Sequence, residues 1–153
     1  KLKCDAVYSV LCEMIFGKMS RLYGKLYDEG LIFGMSAAYN YGKEYAFVEI
    51  DGESKEPKKV YEAVKAEINR VKAEGLDENE IEIVKKGLCG RFIKGLNNIE
   101  NIASSYAGTA FYGENYFDYG DLLMSVTKEE LEKTLKNGFS ASTLSVVSPS
   151  GEE

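Results

Sequence analysis

The sequence predicts an α+β two-layer sandwich, a small antiparallel sheet with helices covering one face. Three observations lead there. Apolar residues recur at three- and four-residue spacing through most of the chain. Between Gly30 and Asp51 the period switches to two, around a short Gly-containing link. Helical stretches come in runs and do not alternate with strands, which argues against a parallel sheet.

Val7, Val10, Leu11, Met14 and Ile15 define the inner face of a first helix, ending near Gly17. Ser20 is placed to cap a second helix that carries Leu22 and Leu26 inward. Gly30 supplies the left-handed position that closes it. Phe33, Met35, Ala37 and Tyr39 then alternate with small or polar residues, and Tyr45 to Asp51 makes a second strand. The link through Gly42 joins the two as an antiparallel hairpin. Pro57 suits the first residue of a long helix with Val60, Val64, Ile68 and Val71 as its stripe, stopped by Gly75. Asp77 with Glu80 reads as a capping box before a helix that buries Ile81, Val84, Leu88 and Phe92. Gly95 and Asn97–Asn98 break it. Ile99, Ile102, Ala103, Tyr106, Ala107 and Ala110 give another helical face, and Gly113 ends that helix. Thr127 with Glu130 repeats the capping pattern ahead of Leu131 and Leu135, and Gly138 closes this helix. Thr143 to Ser148 reads as a third strand, ended by Pro149. Three strands make a narrow sheet for so many helices, and a strand before Lys1 would complete it.

The 153 residues suit one domain, and the first of them is Lys, not Met, so the chain reads as a piece of a longer one. Apolar content of 44% against 29% charged describes a soluble globular domain. A formal charge of −6 argues against a nucleic-acid partner, and no apolar run approaches membrane-spanning length. Cys4, Cys12 and Cys89 are odd in number and lack C-x-x-C spacing, which points away from a disulfide framework or zinc knuckle and towards a reducing, cytoplasmic setting.

There is no histidine. That removes Ser-His and Cys-His nucleophiles, the usual imidazole zinc ligands and the side chain that titrates near neutrality unaided. Gly87, Gly90 and Gly95 do not follow a strand, so no phosphate loop is present, and close helix packing or a kink is the expected role. Glu13, Asp28, Glu29 and Glu44 could supply a carboxylate pair, but nothing fixes their separation and a solvated surface is the better reading. The aromatics from Tyr106 to Tyr119 are expected to pack in core and loops rather than form a stacking platform. Lys85, Lys86, Arg91 and Lys94 read as a solvated basic helix face.

Taken together, "LCEMIFGKMSRLYGKLYDEGLIFGMSAAYNYGKEYAFVEI", "VYEAVKAEINRVKAEGLDENEIEIVKKGLCGRFIKGL" and "VTKEELEKTLKNGFSASTLSVVSP" resemble one domain of the pitrilysin/insulinase family of zinc metallopeptidases, which includes the mitochondrial processing peptidases. Their order and spacing cover about Val7 to Pro149. The resemblance implies a processing-peptidase-like metallohydrolase fold. Active members carry an inverted zinc motif, H-x-x-E-H, which this sequence lacks. It therefore resembles the half without metal. The resemblance implies that this half closes over a catalytic zinc domain, forms part of a chamber for peptide, and reaches substrate with an arginine and a tyrosine. Anchored on Leu26 and Gly30–Leu31, those places hold Tyr27 and Phe33, and the motif is one residue shorter. Tyr27 cannot make an arginine's bidentate contact, and Phe33 keeps a ring without the hydroxyl.

The function expected on this basis is a non-catalytic domain of a zinc peptidase, with Tyr27 and Phe33 facing the peptide and no metal of its own. The catalytic domain and its zinc are expected upstream or on another chain. The alternative is an inactive scaffold or heterodimer subunit that binds no peptide. An open sheet edge beside the N-terminus is further expected to favour self-association.

Overall fold

The computed structural model describes residues 1–148. The order of elements is α1 (Leu2–Phe16), α2 (Arg21–Asp28), β1 (Gly34–Tyr41), β2 (Ala46–Glu53), α3 (Pro57–Glu74), α4 (Glu78–Gly95) and α5 (Ile99–Ala110). A 3₁₀ turn (Tyr116–Asp118), α6 (Tyr119–Met124) and α7 (Lys128–Gly138) complete it. The α+β class holds: helices dominate, and one two-stranded antiparallel sheet is present among the described residues.

The core gathers around α1, whose Ala6, Val7, Val10, Leu11, Ile15 and Phe16 are buried. α4, α6, α7 and β1 pack against it. Gly34 pairs with Glu53 and Tyr41 with Ala46, so Met35, Ala37 and Tyr39 share the inner face with Val48 and Ile50. Leu123, Val126, Leu131 and Leu135 close the far side.

Element ends follow the caps expected from sequence. Ser20 accepts a hydrogen bond from the Tyr23 N–H at 3.1 Å, and Pro57 opens α3. Asp77 accepts from the Glu80 N–H, but only Thr127 and Glu130 form the reciprocal capping box. Replacing Thr127 with alanine removes that box and is expected to cost about 1 kcal/mol, read as a lower urea midpoint at unchanged slope. α1 has no capping side chain of its own, and Glu114, from the loop after α5, accepts from the Leu2 N–H at 2.9 Å. Gly138 is the last residue of α7 but takes no left-handed φ, and what calls for glycine there was not legible in the sequence: a Cβ would run into the Tyr8 hydroxyl.

Four expectations are corrected. Thr143–Ser148 is not a strand. A strand exists only where a neighbour takes its N–H and C=O groups, and β1 and β2 pair only with each other among the described residues. The preceding Ser142 is held by the Tyr61 hydroxyl at 2.8 Å, while Val147 is 96% exposed. Pro149, the expected end of that strand, lies outside the described residues. Gly87 and Gly90 are not close-packed, since a Cβ at either would meet nothing within 4 Å. Lys85 is buried rather than solvated, its ammonium 2.8 Å from Glu82. The α5 stripe is largely exposed, with Ile99 82% accessible, because α5 packs chiefly on the 3₁₀ turn.

Asp5 sits in the wall between α1 and α6, beside Tyr119, whose hydroxyl donates to Ser9 Oγ at 3.2 Å. Burial raises the Asp5 pKa above 3.8, with the Tyr119 hydroxyl opposing. Folding therefore favours the neutral carboxyl. Its contribution is fully present below pH 3.8 and is lost as pH rises through the raised value. Asp5→Asn, neutral throughout, should gain stability relative to the parent as pH rises from acid to neutral. Urea midpoints of the two proteins that stay a constant distance apart would contradict this.

Candidate peptide-facing corner

The corner from α2 into β1 is built by burial on one side and display on the other. Leu22, Leu26 and Ile32 are buried in the core. The Leu31 N–H donates to the Leu26 carbonyl at 2.9 Å and the Gly30 N–H to the Tyr27 carbonyl at 3.0 Å. Gly30 has φ of 67°, the left-handed conformation that a side chain disfavours. With the backbone locked this way, Tyr27 (57% exposed) and Phe33 (63% exposed) face solvent.

The two rings do not stack on each other. Tyr27 lies on Tyr23, one turn earlier, with centroids 6.1 Å apart and planes within 13°. Phe33 is pinned through its backbone N–H to the Glu53 carbonyl at 3.1 Å, and the Lys55 ammonium sits 5.9 Å from its ring centroid. Lys55 could not have been associated with the corner from sequence, because the β1–β2 register brings it there.

The corner offers ring faces, one phenol and one ammonium, with no nucleophile paired to a base. The carboxylates considered from sequence do not converge. Glu13 pairs with Arg91 at 2.6 Å and Glu29 with Lys25 at 4.0 Å, while Asp28 and Glu44 are exposed. Among the described residues, no group of three or more acidic, cysteine or histidine side chains could hold a metal ion.

The expected packing of the Tyr106–Tyr119 aromatics is only half right. Tyr116 and Tyr119 sit edge-on to Phe92 at 5.3 and 5.6 Å. Tyr106, Phe111, Tyr112 and Phe117 are exposed, Phe111 at 89%. The helical period that suggested burial reports an apolar face, and the short 3₁₀ turn that packs on it, through Phe117 against Tyr106 at 6.0 Å, leaves most of that face uncovered.

A groove of about 420 Å³ that sequence reasoning missed lies at the turn end of the hairpin, between Cys4, Tyr39, Tyr41 and Tyr45. Burial pushes the Tyr41 hydroxyl up to about 12, so it stays protonated at neutral pH. Burial likewise pushes the Cys12 thiol up to about 12, whereas Cys4 is exposed. Under native conditions iodoacetamide should modify Cys4 and spare Cys12 until denaturant is added, as read by peptide mass spectrometry. Equal labelling rates would contradict the packing of α1.

The corner displays two aromatic side chains on a fixed backbone, in an α+β fold with no cluster of metal-ligating residues among the described residues. The chain belongs to the Peptidase M16 inactive-domain family, which matches residues 4–88. It is 31% identical over 150 residues to the uncharacterized zinc protease YmfH of Bacillus subtilis (strain 168), covering 95% of this chain and 34% of that protein. The fold is similar to that of a protein assigned as an M16-like peptidase from Alicyclobacillus acidocaldarius, with a TM-score of 0.81 at 24% identity, over 88% of this chain and 33% of that one. It is also similar to the inactive peptidase domain of a protein assigned as a zinc protease from Bordetella parapertussis. There the TM-score is 0.71 at 11% identity, over 88% of this chain and 75% of that one. The chain thus spans about a third of the length of YmfH and of the Alicyclobacillus protein.

Proposed function

We propose that this chain is the non-catalytic domain of a zinc peptidase, walling a peptide-binding chamber and supporting a catalytic zinc domain. The observation that carries the reading is the inactive-domain match over residues 4–88 in a chain without histidine. The catalytic partner is a domain of the same family, either in the same polypeptide or on a second subunit, and zinc resides there. Three free cysteines suit a reducing, cytoplasmic compartment.

Within this reading Tyr27 and Phe33 face the peptide. They would grip it through ring contact and one hydroxyl rather than through a guanidinium fork. Fluorescence anisotropy with a labelled unstructured peptide tests this. Binding by the chain that falls in a Tyr27→Ala, Phe33→Ala double variant supports it, and binding unchanged by the double variant removes these residues from the site.

A second reading is a scaffold subunit that binds no peptide. It is favoured by the partners both rings already have, Tyr23 and Lys55. Absence of peptide binding with the fold intact would select it. In either case the unpaired edges of the two-stranded sheet lead us to expect self-association at high concentration. Light scattering that gives a strict monomer at every concentration would contradict that expectation.

A further inference from the structure

We draw no further inference here: the strongest candidate, the apolar face of α5 with Ile99, Tyr106 and, just beyond the helix end, Phe111, is exposed in a chain that spans about a third of the length of YmfH, and nothing in the structure shows what covers it.

Discussion

Leu26→Ala is expected to lower stability by about 2–5 kcal/mol, the range for truncating a fully buried leucine. Leu26 has no exposed surface, and its carbonyl accepts the bond that turns the chain towards β1. Its neighbour Tyr27 and nearby Phe33 are more than half exposed. Alanine at either of those positions is expected to change stability by no more than about 0.5 kcal/mol. The corner thus separates the side chains that hold the fold from those free to meet a ligand. Urea unfolding of the three variants reads the difference. A cost at Phe33 as large as that at Leu26 would mean that Phe33 is structural and would end its proposed role.

Gly138→Ala is the second large effect, about 1–3 kcal/mol from overpacking. The new methyl would lie 2.3 Å from the Tyr8 hydroxyl. Tyr8 cannot swing away freely, because its ring is stacked on Tyr39 at 4.2 Å and packs against Phe139. Removing the hydroxyl with Tyr8→Phe should restore most of the loss, so the two substitutions should couple in a double-mutant cycle. Additive costs would show that the strain lies elsewhere.

The parts of the fold legible in the sequence are those set by local chemistry. Ser20, Asp77 and Thr127 announce helix starts because their side chains answer N–H groups a few residues on. Gly30 announces the corner because few other residues take its φ. The hairpin is legible in the change of period together with the short link through Gly42. What stayed hidden depends on partners distant in sequence. The α5 stripe and Thr143–Ser148 have the right pattern for burial and pairing, yet pattern cannot say what lies opposite. Lys85 looked solvated because nothing local signals its burial in the packing of α4.

The same limit applies at the site. Tyr27 and Phe33 could be placed on the corner from sequence, and Tyr23 is a neighbour of Tyr27 by helical spacing alone, but Lys55 reaches Phe33 only through strand register. The absence of histidine was legible at once and remains the strongest restriction on chemistry.

The central claim is that this chain supplies no metal chemistry of its own. Its most direct test is zinc content by elemental analysis of the purified chain, paired with turnover of a quenched fluorescent peptide. The expected result is substoichiometric zinc and no turnover, with or without added zinc. Stoichiometric zinc together with peptide hydrolysis by the chain alone would contradict it.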